Sequence, residues 1–208
     1  MNDAFAHQLL RQRAENPCKI QKLPSRYANT YASLLKLASY LEDHSNTEDL
    51  LMLGCAVYAW MPTTLKKWNF LEFDLGKISV EVLRSCDRYD DAACLVREKI
   101  PEPLLNNSWV GTSKFLHFIN PEMFPIWDSK VAMRFGLQGY QMKKKKHYLG
   151  YMNFCRRQAL LIGNDLETAA SYLSFQAERR SSIMRTIELL LFLDEATPSS
   201  SYIDTTYK

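Results

Sequence analysis

Glycine is scarce in this chain, with 7 among 208 residues, and alternation of apolar and polar residues is rare. A strand that buries one face needs that alternation, so its rarity disfavours a sheet. Apolar residues instead recur at spacings of three and four, as in the set Tyr31, Leu34, Leu35, Leu37 and Tyr40. The sequence therefore predicts an all-α fold.

Cysteine pairs with C-x-x-C spacing are also absent, and the 5 cysteines are odd in number. Both facts disfavour a disulfide framework and a zinc site, so we expect reduced thiols and no metal. The chain lacks a basic, apolar leader and any apolar run of about 18 residues. We therefore expect a cytoplasmic protein that makes no contact with a membrane.

The formal net charge of +3 does not by itself indicate a polyanionic partner. Four consecutive lysines, Lys143, Lys144, Lys145 and Lys146, concentrate positive charge in one place. This run is either a solvated loop or a surface for phosphate contacts that do not depend on sequence.

Residues 1–195 are interpreted as a single helical domain, or as two helical subdomains with a site between them near 100–135. The polar tail 196–208 lacks periodicity and is expected to be disordered.

The stretch 106–135 contains the clearest functional signal. Val110-Gly111 predicts a tight turn, and an apolar helix follows with Lys114 in its first turn. Asn120-Pro121 ends that helix, and Asp128 lies where the next helix is expected to begin. An amine and a carboxylate are thus placed at two helix starts.

These residue types suit attack on a sugar carbon. A lysine attacks only as its neutral amine, and an apolar wall disfavours the charged form. Asp128, as an N-cap, would stabilise positive charge developing on the sugar. The free amides of the predicted turn, over Val110, Gly111, Thr112 and Ser113, would hold a phosphate.

This pattern resembles the helix-hairpin-helix DNA glycosylases, most closely the 8-oxoguanine glycosylase branch. The resemblance rests on Val110-Gly111-Thr112-Ser113-Lys114 and Phe124-Pro125-Ile126-Trp127-Asp128-Ser129. It implies an all-α helical bundle in which Lys114 forms a Schiff base and Asp128 is the catalytic aspartate. The Leu-Pro-Gly of the family hairpin is replaced here by Asn107-Ser108-Trp109, and the interval from lysine to aspartate is shorter.

Aromatic and histidine side chains surround the two charged residues. Trp109, Phe124 and Trp127 would stack on an extruded base, and His117 lies one helical turn after Lys114. Each of these residues is otherwise a member of the core. Asn106 and Asn107 either fill the gap left by a flipped nucleotide or form an ordinary turn.

Three hypotheses follow. The first is a DNA glycosylase, with or without lyase activity, that excises a damaged or modified base from double-stranded DNA and needs no cofactor. The second is a non-catalytic DNA-binding module of the same fold, for example in phage defence. The third is a small helical interaction protein in which the motif only packs.

Overall fold

The computed structural model describes residues 3–21, 25–61, 63–177 and 181–194, and its regular elements over these ranges are helical. The α-helices are α1 (Asp3–Glu15), α2 (Ser25–Ser39), α3 (Thr47–Trp60), α4 (Leu71–Asp74), α5 (Val80–Ser85), α6 (Tyr89–Lys99), α7 (Trp109–Ile119), α8 (Ser129–Arg134), α9 (Lys145–Leu161), α10 (Gly163–Ala177) and α11 (Ile183–Phe192). Short 3₁₀ helices span Pro17–Lys19 and Gly139–Lys143. The prediction of an all-α fold is confirmed for these residues, and the tail 196–208 lies outside them.

Local capping explains where several helices begin. The Asn46 side chain accepts hydrogen bonds from the amides of Glu48 and Asp49 at 2.9 and 3.0 Å, and α3 starts at the next residue. Asp128 caps α8 in the same way. Such caps satisfy amides that have no partner inside the helix.

The helices pack in two groups. The first helix group contains α2, α3, α5 and α7, and the second contains α1 and α8 to α11, with α6 packed on α9. Helix α7 belongs to the first group and also contacts α9. From Gly111 to Ile119 every residue of α7 is buried, including the polar residues Thr112, Ser113, Lys114 and His117. Buried side chains of both groups form one hydrophobic cluster.

The turn before α7 differs from the prediction. The chain reverses at Asn106 and Asn107, both with φ of 49°, a left-handed conformation that asparagine tolerates. Helix α7 begins at Trp109, so Val110 and Gly111 lie in its first turn and Lys114 lies in its second. The prediction of a tight turn at Val110-Gly111 was therefore wrong, because the chain already turns at the two asparagines.

Gly111 has a different role, which is to let α7 approach the Tyr58 side chain of α3 closely. A Cβ atom at this position would lie 2.9 Å from Cζ of Tyr58 on α3. Asn106 braces the same region, because its side chain accepts from the amides of Lys66 and Lys67 and donates to the carbonyl of Thr64. Over the described ranges, no helix has the length and apolar character needed to cross a membrane.

Candidate functional site

Lys114 and Asp128 form a largely buried ion pair. Nζ of Lys114 lies 2.9 Å from Oδ2 of Asp128, and the two side chains are 9% and 16% exposed. Oδ1 of Asp128 accepts a hydrogen bond from the backbone amide of Lys130 at 3.0 Å. One carboxylate oxygen therefore caps α8 while the other binds the amine.

Buried hydrogen bonds hold the segment 124–127 against α7 and so bring the pair together. Ser113 Oγ accepts from the Trp127 amide at 2.9 Å. Three residues earlier in the segment, the Phe124 carbonyl lies 2.7 Å from Nδ1 of His117. The chain between the amine and the carboxylate is thus fixed at two points.

His117 is a structural residue. A carbonyl can only accept, so Nδ1 carries the proton toward Phe124, and Nε2 accepts from the Tyr31 hydroxyl at 2.8 Å. Burial, followed by the positive charge of Arg185, lowers the pKa of His117 to about 3. The imidazole is therefore neutral at physiological pH and occupied on both nitrogens.

Asp128 is held in its ionised form. Burial raises the pKa of its carboxyl, but the charge of Lys114 and the hydrogen bonds to the carboxylate outweigh burial and lower the pKa below its ordinary value. The carboxylate can therefore stabilise positive charge on a neighbouring group at neutral pH.

A cavity of about 580 Å³ lies between the two helix groups, and Lys114 and Asp128 line it. The first group contributes Tyr27, Trp60 and Val110. Helix α11 forms the opposite wall, and the residues of this wall are Arg185, Glu188, Leu189 and Phe192. The site predicted near 100–135 thus includes residues from both ends of the chain.

The aromatic residues predicted for a base pocket do not line this cavity. Trp109, His117, Phe124 and Trp127 are each at most 2% exposed. Trp109 stacks on Tyr148, and Trp127 packs on Tyr151. These four residues belong to the core, and the aromatic walls of the cavity come from Tyr27, Trp60 and Phe192 instead.

Sequence reasoning missed a second buried ion pair in the cavity wall. Arg185 and Glu188 lie one turn apart on α11, bonded to each other, and their side chains are 5% and 4% exposed. The Arg185 guanidinium lies 4.5 Å from the ring centre of Tyr31. The only signal in the sequence is a pair of opposite charges within an otherwise apolar helix.

The residues whose free backbone amides were predicted to hold a phosphate lie within α7, where the Thr112 amide is already bonded to the Ser108 carbonyl at 2.9 Å. Thr112 and Ser113 have no exposed surface, and Gly111 is also buried. Thr112 Oγ1 accepts from the Leu104 amide at 2.8 Å, which ties the connection 100–108 between α6 and α7, the hairpin before α7, to the helix. Their side chains are not available to DNA, whereas Val110 is partly exposed and lines the cavity.

The run of four lysines is placed by Lys145, which lies near the end of α6 and the start of α7. Lys145 begins α9, donates to the carbonyl of Arg97 at 2.7 Å and lies 5.8 Å from the Trp109 ring centre. Lys144 lies over the Tyr140 ring, while Lys143 and Lys146 are exposed. The run is thus near the start of α7, with its two exposed members facing solvent.

Among the residues that the structure describes, no group of three or more histidine, cysteine and acidic side chains could hold a metal ion. Comparison with known proteins finds no matching family profile, no similar curated protein and no similar solved structure.

Proposed function

We propose that the protein is a DNA glycosylase with AP-lyase activity, built on a helix-hairpin-helix scaffold. The observation that carries this proposal is the Lys114–Asp128 ion pair in the wall of a cavity of about 580 Å³. The order of α6, the connection 100–108 and α7 is compatible with that scaffold. The cavity volume is also within the range of small-ligand sites.

The cavity suits a planar base that has been extruded from the duplex. Tyr27, Trp60 and Phe192 supply aromatic and apolar walls, and stacking on such walls compensates for the stacking lost when a nucleotide flips out. The charged pair at one side would then meet the sugar that carries the base.

The chemistry follows from the positions of the amine and the carboxylate. The neutral amine of Lys114 forms a bond to C1′, and the glycosidic C1′–N bond breaks with its electron pair leaving on the base, which takes up a proton. Asp128 stabilises the positive charge that develops on the sugar. Ring opening gives a protonated imine, and loss of a proton from C2′ then expels the 3′ phosphate.

Phosphate contacts would come from the surface beside the hairpin. Lys143 and Lys146 are exposed there, and Lys145 of the same run lies 5.8 Å from the ring centre of Trp109 at the start of α7. Lysine contacts of this kind position a duplex without reading its sequence.

Borohydride trapping tests the proposal directly. Duplexes carrying oxidised, deaminated, hypermodified or abasic sites are incubated with the wild type, Lys114→Gln and Lys130→Gln. Lys130 is a matched control because it lines the same cavity but pairs with Asp194 at the surface. We expect a covalent adduct with the wild type and Lys130→Gln and none with Lys114→Gln. Equal trapping by Lys114→Gln would exclude Lys114 as the nucleophile.

The identity of the reacting duplex separates two biological roles. Trapping on oxidised or deaminated bases indicates DNA repair, whereas trapping only on hypermodified bases indicates action on foreign DNA, as in phage defence.

A DNA-binding module without chemistry is the second candidate. The observation that favours it is the ion pair itself, because a lysine held as an ammonium by Asp128 is not a nucleophile. Salt-sensitive duplex binding by the wild type, without an adduct on any duplex, would support the module over the enzyme.

A further inference from the structure

The Arg185–Glu188 pair lines the same cavity as Lys114 and Asp128, yet the chemistry described above gives it no role. Removing two charges from water is costly, and apolar residues in place of a buried ion pair are often as stable or more stable. Stability alone therefore does not account for this pair, whereas a role in the cavity would account for it.

Trp60 connects the two ion pairs. Its ring centre lies 5.5 Å from Nζ of Lys114 and 5.7 Å from the guanidinium carbon of Arg185. The charges of Lys114 and Asp128 both act on the Glu188 carboxyl. Lys114 and Glu188 line one cavity, so the cavity is the path that a transferred proton would take.

The proposed reaction needs a group that removes a proton from the Lys114 ammonium. Asp128 is a poor acceptor, because the charge of Lys114 and hydrogen bonding outweigh burial and lower its pKa. Burial raises the pKa of Glu188 to about 7, although the charge of Arg185 opposes this rise. A carboxyl with such a value can both accept and return a proton near neutral pH.

We propose that Glu188 is the proton acceptor for Lys114 and that Arg185 positions its carboxylate. This inference rests on the proposed function. Glu188 takes one proton from the ammonium, and the free electron pair on Nζ then bonds to C1′. In base excision the proton returns to the departing base.

At an abasic site the same proton balance can be followed without a base. Nζ adds to the C1′ aldehyde, the carbonyl oxygen takes the proton from Glu188, and this oxygen leaves as water when the imine forms. The imine keeps one proton on nitrogen and the water carries two, so the three protons of the starting ammonium are all accounted for.

The neighbours of Glu188 define what else could titrate with it. Arg185 lies on the same helix, and from α9 the Tyr151 hydroxyl and the Cys155 thiol interact with the Glu188 carboxyl. Burial raises the pKa of Tyr151 well above its ordinary value and that of Cys155 above the physiological range, so both stay protonated. Arg13 of α1 and Arg134 of α8 both bind backbone carbonyls later in α11. The buried residues of α10, among those that the structure describes, are apolar.

The test is reductive trapping on a duplex with an abasic site, under single-turnover conditions, from about pH 6 to about pH 10. The variants are the wild type, Glu188→Gln and Glu167→Gln, an exposed glutamate of α10. We expect Glu188→Gln to trap about 100-fold more slowly than the wild type near pH 7. The deficit should shrink toward pH 10, since hydroxide from solvent can then accept the proton in place of Glu188.

A structural role for Glu188 would lower the rate by a similar factor at every pH, and that result would overturn the proposal. Equal rates for the wild type and Glu188→Gln near pH 7 would also overturn it while leaving Lys114 as the nucleophile. Absence of an adduct with the wild type at every pH would instead overturn the proposed function together with this inference.

If Glu188→Gln fails to fold, two other measurements still test the proposal. The wild-type trapping rate should rise through about pH 7 as Glu188 ionises, and a flat profile would contradict the proposal. Glu188→Asp keeps the carboxylate, so it should keep the shape of that profile at a lower rate. A changed shape in Glu188→Asp would count against a carboxylate at this position.

Discussion

Burial decides the chemistry of single residues in this protein. His117 lies one turn from Lys114 along α7, so sequence spacing alone makes it a candidate for the reaction. In the structure both its nitrogens are occupied, by Tyr31 and by the Phe124 carbonyl. A histidine that must stay neutral to keep two hydrogen bonds makes the fold sensitive to acid.

His117 gives a prediction for stability against pH. Its folded pKa of about 3 lies below the ordinary value of 6.5, so the unfolded chain binds a proton first as the pH falls. Its contribution to the free energy of unfolding is present above pH 6.5 and is lost toward pH 3. Between pH 7 and about pH 4 we expect the free energy of unfolding to fall by about 3 kcal/mol more in the wild type than in His117→Gln.

Urea unfolding of the two proteins at several pH values measures this difference. The exposed His44→Gln serves as the control and should follow the wild type. Parallel curves for the wild type and His117→Gln from pH 7 to about pH 4 would contradict the assignment.

At the scale of the element, the hairpin before α7 is held in place by hydrogen bonds. Its two asparagines share one backbone conformation, but only Asn106 has a side chain bonded to the segment 64–67. The Asn106 amide also donates to the Lys67 carbonyl. The hairpin is thereby braced against the chain that follows α3, close to Met61 and Thr63 in the cavity wall.

Paired alanine variants separate conformation from bracing. Asn106→Ala and Asn107→Ala both place alanine in a left-handed conformation, whereas only Asn106→Ala removes side-chain hydrogen bonds. We expect Asn106→Ala to lower the free energy of unfolding by about 1–2 kcal/mol more than Asn107→Ala. Chemical denaturation measures both, and equal losses would show that the hydrogen bonds contribute little.

Local patterns predicted the helices well because the signals for helices are local. Asn46 and Asp128 are recognisable as N-caps from a few neighbouring residues, and both cap a helix. Lys114 and Asp128 were predicted to belong to one site, and the structure brings the two residues together as an ion pair. For Trp109, Phe124 and Trp127 the sequence left a base pocket and the core as alternatives, because sequence spacing does not say which side of a helix faces the core, and the structure places all three in the core.

The cavity could not have been predicted in the same way. Its walls combine Trp60 of α3 with Arg185 and Glu188 of α11, which meet only when the two helix groups pack together. No short motif contains both sides. Residues that meet only when distant helices pack together can be identified only from the tertiary structure.

At the scale of the whole molecule, DNA binding should depend on the lysines that stay free of the protein's own contacts. Lys143 and Lys146 are exposed, whereas Lys145 is held by the Arg97 carbonyl. We expect the double variant Lys143→Gln and Lys146→Gln to bind duplex DNA more weakly. The slope of log K against log salt should fall by about 2, roughly one for each lost phosphate contact.

The matched control removes the same charge elsewhere. Lys36 is exposed at the end of α2 and Lys77 pairs with Glu72, so replacing both with glutamine changes the net charge equally. Fluorescence anisotropy at several salt concentrations measures both variants. If the control loses as much salt dependence as the test variant, binding reflects net charge rather than the surface beside the hairpin.

Trp60 also gives the protein an optical reporter. Its indole lies between the two cations of the cavity, while Trp109 and Trp127 are buried in the core and Trp68 is on the surface. Emission from an indole shifts when nearby charges move, so we expect a ligand that enters the cavity to change the colour and intensity of Trp60 fluorescence. Occupancy of the cavity can thus be followed in real time without any label.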